Sequence, residues 1–463
     1  MGKDTAIKTR KYILMIGDIA ILYFSLWLTL VIRYFGNYEP WLWSRHILPF
    51  TVVYGIWLLA FYIDDIYELS FRQGRAGLIV RIVRDIIIGG FFAVVFFYLG
   101  QDRLFTIRPQ TTLAVNSITA LVLIYAWHTL FDFITKSSKI SNNLLIIGLN
   151  SLAQDIINQI EKTPQLGLRV KTIITIDDQA VPESLQKIAI KKDLEELHQI
   201  CLEHKISTIV STVHPRENPA LMKGLFSCLP LKISFFDIAT FYEKIMGRVP
   251  INTIEQIWFL ENLAENNKRV YEIIKRLFDV VASLIILVIS LPIIPFIALA
   301  IKLSSKGPVF FSQIRTGKNG KDFKATKFRT MIIEAEKNGP QWAAKNDPRI
   351  TRVGKFMRKT RLDEIPQLFN VLRGEMSLIG PRPERPEFVN QLQNQIPFYK
   401  ERLLVKPGLT GWAQVMGPAY GGSVEESYQK LQYDLYYIKN RSLAVDLSIS
   451  LKTIKTILTR QGQ

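Results

Sequence analysis

Two cysteines, Cys201 and Cys228, and five histidines, His46, His128, His198, His204 and His214, are all that the 463 residues contain of either type, and none lies beyond residue 267. The C-terminal stretch is thereby denied a disulfide framework, a Cys/His zinc site, a cysteine nucleophile and a histidine base. Catalysis there falls to carboxylates, cations, hydroxyls or a carboxylate-bound metal. The two mid-chain cysteines read as small buried residues. Charged residues are scarce as well, 21% against 48% hydrophobic, yet the net charge is +18. That pairing excludes a simple soluble domain: long apolar runs ask for a bilayer, and a positive excess asks for phosphates or acidic headgroups. The excess is local. Lys+Arg against Asp+Glu runs 14 to 9 over residues 1–140, 12 to 15 over 141–267 and 32 to 16 over 268–463, which also suggests three domains.

Apolar runs at 12–32, 47–63, 85–99 (extending towards Leu78) and 111–134 each approach the length that crosses a hydrocarbon core of about 30 Å, and predict four spans over residues 1–140. The first is a span rather than a signal peptide, because no small-residue cleavage site follows it and three more spans do. Basic residues in the flanks alternate 4, 2, 4, 2, followed by Lys136 and Lys139, which places both ends of the bundle in the cytoplasm. Asp18 and Asp132 lie near span ends, where snorkelling or a local partner explains them better than an intramembrane function.

Over 141–267 short β-branched runs (144–147, 170–176, 206–213, 233–236) alternate with helix-period stretches (151–161, 194–204), the pattern of a Rossmann-like α/β domain with a doubly wound parallel sheet. The first strand-to-helix turn, Gly148-Leu-Asn150-Ser-Leu-Ala153, keeps one glycine of a dinucleotide fingerprint, and Asp177 and Asp178 follow the second strand. Asn150 puts a side chain where a backbone would have to approach a pyrophosphate, so a structural or regulatory role is favoured over nucleotide binding.

Residues 280–301 form a fifth apolar run with cations at both ends, Lys275 and Arg276 before it and Lys302 and Lys306 after. Pro292 and Pro295 sit inside it, each costing about 3 kcal/mol in a regular helix. A re-entrant segment over about 272–302, entering and leaving by one face and broken at Ser290 and Pro292, fits these facts, with the Ser290 hydroxyl expected to meet a freed carbonyl; a Pro-kinked span is the alternative. Asn319-Gly320 then predicts a hairpin between 309–315 and 322–331, whose second strand carries Lys324, Lys327 and Arg329. Six cations between Arg349 and Arg361 precede Asp363-Glu364. Pro366 requires a helix to begin close to Asp363, with Leu362, Ile365, Phe369 and Leu372 on one face and Asp363, Gln367 and Asn370 on the other. A helix start would lower the pKa of a carboxylate placed there.

These segments resemble the polyprenyl-phosphate hexose-1-phosphate transferases, the large membrane phosphoglycosyltransferases of bacterial capsule and exopolysaccharide synthesis. The similarity is carried by Lys275-Arg-Leu-Phe-Asp279, Gly307-Pro-Val-Phe-Phe311, Lys327-Phe-Arg329-Thr-Met331, Arg361-Leu-Asp363-Glu364-Ile-Pro-Gln-Leu-Phe-Asn370, Met376-Ser-Leu-Ile-Gly380-Pro381-Arg382-Pro383 and Lys406-Pro-Gly-Leu-Thr-Gly-Trp412-Ala-Gln414, in order over 268–463. Leu291 departs from the serine that many members carry before the membrane proline. The resemblance implies that the 268–463 domain is catalytic, that Asp363 attacks the sugar-linked phosphate of a UDP-sugar such as UDP-glucose or UDP-galactose and releases UMP, that Glu364 with Asp363 engages Mg²⁺, and that undecaprenyl phosphate then accepts the phosphosugar. Arg358 and Arg382 match phosphate-contacting positions, with Lys327, Arg329, Arg361 and Pro383 as further candidates. It also implies the bacterial inner membrane with the catalytic domain facing the cytoplasm, no nucleic-acid partner, and a second copy of the chain as a candidate partner. Residues 443–458 read as a helix lying on the membrane, with Leu447, Leu451, Ile454 and Leu458 on one face. Two rivals remain: a membrane-anchored NAD-dependent nucleotide-sugar dehydratase or epimerase, whose catalytic pair Tyr271 and Lys275 mimic, and a membrane-tethered nucleic-acid-binding regulator using the positive charge.

Overall fold

A computed structural model describes residues 4–35, 37–68, 75–100, 110–136, 142–176, 182, 185, 187–263, 268–337, 339, 342, 347–418 and 423–458. The chain divides into two compact units, Met1–Met246 and Gly247–Gln463.

The first unit opens with four helices, α1 (Asp4–Arg33), α2 (Pro40–Ile63), α3 (Arg75–Gly100) and α4 (Gln110–Lys136), each long and apolar enough to cross a membrane over Thr9–Arg33, Pro40–Ile63, Gly77–Gly100 and Gln110–Thr135. The expected spans fall inside these ranges, and the chain is a membrane protein. Asp18 has the local partners expected of it: it is fully buried, accepts from the Tyr67 hydroxyl at 2.8 Å and faces His128 Nε2 at 3.0 Å. An ionisable group among apolar helices persists only when satisfied in this way.

Five parallel strands follow, β1 (Asn142–Ile147), β2 (Leu168–Ile174), β3 (Ala189–Lys191), β4 (Ile206–Ser211) and β5 (Ser234–Asp237), in the order β3-β2-β1-β4-β5. They alternate with α5 (Ser151–Lys162), α6 (Leu197–Glu203), α7 (Pro219–Ser227) and α8 (Ile238–Met246). Leu144, Leu145, Ile146 and Ile147 of the central strand are all fully buried, as a strand covered on both faces requires. Asn150 caps α5, its side chain accepting from Ala153 N at 2.9 Å. Asp177 and Asp178 lie outside the described residues. Cys201 and Cys228 are buried free thiols 3.9 Å apart, and burial followed by its neighbour Cys228 pushes Cys201 up to about 12.

In the second unit, α9 (Gln256–Asn262) leads to α10 (Arg269–Ser290) and α11 (Ile294–Ser304), which meet at a 65° bend. Pro292 occupies the turn and Pro295 falls in the first turn of α11, where its missing N–H costs nothing. The Ser290 hydroxyl donates to Ile286 O at 2.7 Å, one turn back on its own helix, while Val288 O is reached by Leu291 N. The serine thus reinforces the end of α10 rather than meeting the carbonyl freed by Pro292, because a helical hydroxyl reaches the i−4 carbonyl most easily. Both helices turn apolar side chains outward, including Leu277, Ile285, Ile289 and Phe296, while Lys275, Asp279, Ser283 and Ser290 of α10 are buried.

The expected hairpin is β6 (Phe310–Thr316) with β7 (Asp322–Phe328), antiparallel, its turn held by Asn319 and Gly320 at φ +57° and +76°. The remaining elements are α12 (Arg352–Thr360), α13 (Leu368–Arg373), β8 (Ser377–Ile379), α14 (Pro386–Leu392), β9 (Gly408–Thr410), α15 (Trp412–Met416), α16 (Val424–Asn440) and α17 (Leu443–Leu458), with β8 parallel to β9. The main core of this unit gathers Ile379, Leu392, Tyr399, Leu431 and Leu435, and Val249, Ile251 and Ile254 join it. Residues 247–263 therefore pack with the second unit, although the change of sequence texture falls nearer 267. In α17, Leu447 and Ile454 are exposed while Asp446, Ile449 and Lys452 are buried.

Candidate active site

α12 begins at Thr351, whose hydroxyl accepts from Gly354 N at 2.9 Å. Gly354 lies so close to the Thr330 carbonyl that a Cβ there would come within 2.0 Å of the oxygen. This close approach brings the Thr330 hydroxyl to Arg358, which donates to it from Nε at 2.9 Å. Arg361 then adopts φ +58° and ends the helix. A 3-10 turn, Leu362–Gln367, separates it from α13, whose α geometry starts only at Leu368, later than the sequence suggests. Pro366 has no N–H to return to Leu362, so the tighter turn carries Asp363 and Glu364.

Leu362 and Ile365 pack against the small core of Ile297, Phe328 and Met357, whereas Phe369 is exposed and Asn370 is buried, donating to Lys324 O at 2.8 Å and Glu375 Oε2 at 2.7 Å. The polar face thus points inward, and Asp363, only 5% exposed, points with it. A cavity of about 210 Å³ opens there, lined by Lys327, Arg358, Arg361, Asp363, Glu364, Arg382 and Pro383 among others. Seven of the eight candidates carrying the chemistry meet in this one space. Arg329 does not: its guanidinium donates to Ser305 O and Lys306 O, both at 2.8 Å, and closes the C-terminal end of α11.

The two carboxylates are held unlike. Glu364 Oε1 accepts from Arg382 at 2.7 Å and from Arg361 at 3.3 Å. Burial alone would raise its pKa, but Arg382 first and Arg361 next hold it down to about 2. Asp363 Oδ1 is buried with no hydrogen-bond partner. Burial, then the charge of Glu364, pushes Asp363 up to about 6 against the pull of Lys327, Arg358 and Arg382, so the lowering expected of a helix start is overridden. Burial and the neighbouring Arg358 and Arg315 push Lys327 down to about 8. One carboxylate is neutralised by its salt bridges, and the other is left with an unsatisfied oxygen facing cations.

Gln313 and Arg315 also line the cavity, and sequence reasoning passed over both. Arg315 donates to Pro383 O at 3.1 Å and to Gln313 Oε1 at 2.7 Å. Their signal was the hairpin register: Phe311 opposes Lys327 and Gln313 opposes Ala325, so residues 311, 313 and 315 share the face of Lys327. A second cavity of about 340 Å³ shares Arg315, Lys327, Arg358 and Arg382 and is walled by Phe310, Trp342 and Phe388. Tyr271 and Lys275, the dehydratase-like pair, are both committed to Asp446 Oδ2, at 2.8 and 2.9 Å.

Residues 270–460 match the family described as bacterial sugar transferase. A Bacillus subtilis protein, provisionally named an undecaprenyl-phosphate N-acetylgalactosaminyl 1-phosphate transferase, is 53% identical over 161 residues, 35% of this chain and 89% of that protein. The chain belongs to the bacterial sugar transferases. This transferase is also 44% identical over 238 residues to a UDP-N-acetylgalactosamine-undecaprenyl-phosphate N-acetylgalactosaminephosphotransferase of Aeromonas hydrophila, a match spanning 51% of this chain and 55% of that protein. Over 446 residues, 92% of the transferase and 89% of the relative, it is 29% identical to a UDP-glucose:undecaprenyl-phosphate glucose-1-phosphate transferase of Xanthomonas campestris pv. campestris.

Proposed function

We propose that the chain transfers a sugar 1-phosphate from a UDP-sugar to undecaprenyl phosphate and releases UMP, as the first membrane step of exopolysaccharide or capsule synthesis. The observation that carries this reading is the unpartnered, buried Oδ1 of Asp363 facing a cluster of cations. In the first half-reaction an Asp363 oxygen attacks the sugar-linked phosphorus. The bond to the UMP phosphate breaks, UMP leaves with the electron pair, and a phosphosugar remains as an acyl phosphate. In the second, an oxygen of undecaprenyl phosphate attacks the same phosphorus and the carboxylate leaves, giving a lipid diphosphosugar. Lys327, Arg358 and Arg382 offset the charge of two polyanions meeting a carboxylate. The aromatic walls of the adjoining cavity, where Trp342 and Phe388 stack at 4.4 Å, suit the uridine.

The oxygen donors fit Mg²⁺, which binds through one or two carboxylates plus substrate phosphates; among the described residues no group of three or more metal-ligating side chains suits an all-protein cage. Asp363 Oδ1 and Glu364 would hold it, and when bound it supplies charge neutralisation at the diphosphate. The bent α10–α11 pair with its outward apolar surface acts as a re-entrant anchor, keeping the site at the cytoplasmic face of the inner membrane where the lipid acceptor is confined. UDP-glucose, UDP-galactose and their N-acetyl counterparts, each with undecaprenyl phosphate and Mg²⁺, are to be scored for UMP. UMP from one donor, abolished by Asp363→Asn, is the expected result; native turnover in that variant, or no UMP from any donor, overturns the proposal.

A further inference from the structure

Away from the catalytic cavity, and sharing no lining residue with it, a space of about 380 Å³ lies beside the first turns of α10. Six cations line it, Arg269, Lys275, Arg276, Lys318, Lys406 and Arg441, against two acids, Glu272 and Asp279. The acids and half of the cations are already engaged. Arg441 pairs with Glu272 at 2.8 Å, Lys275 with Asp446 at 2.9 Å, and Asp279 accepts from Leu378 N at 3.0 Å. Arg276 donates to Val371 O and Leu372 O at 2.6 and 2.7 Å. Among the described residues, Arg269, Lys318 and Lys406 have no carboxylate within ion-pair distance. Burial, then Arg276, holds Lys406 below its ordinary value, as a cation short of counter-charge should be.

The surroundings say what the counter-charge is attached to. On α10 the exposed residues Val270, Ile273 and Leu277 run alongside the cations from the first turn onward, 64–70% exposed, so phosphate-binding groups and lipid-facing surface occur at one level of one helix. We propose that this cavity binds the phosphate of an anionic membrane phospholipid, whose acyl chains lie along the apolar face of α10. The proposal rests on α10 meeting the bilayer as described above. It gives the excess positive charge a second defined destination, separate from the donor and acceptor phosphates. Through Arg276, the site also touches the terminal carbonyls of α13, the helix that continues from Asp363.

The test uses the full chain in nanodiscs mixing phosphatidylglycerol with phosphatidylcholine, followed by detergent extraction and native mass spectrometry of the lipids retained. Wild type is expected to keep phosphatidylglycerol selectively. In Lys318→Gln/Lys406→Gln that selectivity falls about 30-fold, roughly fivefold for each cation removed near a phosphate. A charge-matched pair on exposed positions elsewhere, Lys355→Gln/Lys400→Gln, keeps it. Lys318→Gln alone, on the partly exposed hairpin turn, gives the partial loss should the double variant fail to fold. Absence of selectivity in wild type, equal loss in the matched pair, or unchanged retention in the double variant overturns the proposal. So does inorganic phosphate, added to lipid-stripped protein in detergent, if it protects against heating as well as phosphatidylglycerol does, because the site would then serve a soluble anion. Asp363→Asn should retain the lipid unchanged, which separates a failure of this site from a failure of the transfer chemistry.

Discussion

Asp446 offers the sharpest test of what holds the second unit together. Its carboxylate is the shared acceptor of Lys275 Nζ at 2.9 Å, the Tyr271 hydroxyl at 2.8 Å and the Tyr437 hydroxyl at 2.9 Å, and it ties α17 to α10 and α16. The side chains of Lys275 and Asp446 are only 11% and 7% exposed. Removing one member strands a buried charge, which costs about 3–5 kcal/mol, whereas replacing both by apolar residues of similar size is close to neutral. The tyrosines keep partners in the double variant, because their hydroxyls lie 3.5 Å apart and Ile379 O, 3.3 Å from the Tyr437 hydroxyl, can take the proton that Asp446 no longer accepts. Asp446→Leu alone should therefore lower the melting temperature of the detergent-solubilised chain by roughly 6–20 °C, taking about 2–4 °C per kcal/mol for a unit of this size. Adding Lys275→Met should recover more than half of that. A single variant that melts within about 2 °C of wild type, or a double variant no better than the single, would refute the claim that the network is buried and mutually compensating.

Three further outcomes follow from the catalytic cavity. With Mg²⁺ withheld, the Asp363 carboxyl carbon, followed by isotope-edited NMR, should titrate near pH 6, and Mg²⁺ should move the midpoint down; a midpoint near 4 without metal would contradict the burial argument. In single turnover the rate should rise as Asp363 deprotonates and fall again as Lys327 loses its proton near pH 8; in the metal-free NMR titration Glu364→Gln should shift the Asp363 midpoint to lower pH because a charge that raises it is gone, and an unshifted midpoint counts against the pairing. Gly354→Ala should destabilise the unit by about 1–3 kcal/mol in thermal melts, since both sides of the close contact with Thr330 are backbone, and a neutral result would mean that α12 can shift without loss.

Periodicity reported the four spans and the parallel sheet, because 20-residue apolar runs and short β-branched runs have few other uses. It reported less where polarity is inverted. On α10 burial follows the polar residues, Lys275, Asp279, Ser283 and Ser290, while Leu277 and Ile289 face outward; on α13 Asn370 is buried beside Leu368 and Val371 while Phe369 is exposed. A helical pattern distinguishes two faces without saying which one is covered, and only tertiary partners such as Asp446 and Leu378 N decide. The acidic pair was legible from its cationic setting, but the contrast between its members was not, since Arg382 reaches Glu364 across 18 positions of chain. Arg329 lies just past the end of β7, where the expected strand to 331 stops short, and the end of α11 takes its guanidinium, a competition between distant segments that no local spacing records.

The outward apolar surface of α10 and α11 belongs wholly to residues of the second unit. On the proposed re-entrant reading, attachment to the bilayer resides in the same unit that holds Asp363. The Bacillus relative aligns over 161 residues with 89% of its own length, a stretch shorter than either unit of this chain. The first unit carries its own sealed polar cluster of Asp18, Tyr67 and His128, which locks three of its segments together inside an apolar bundle.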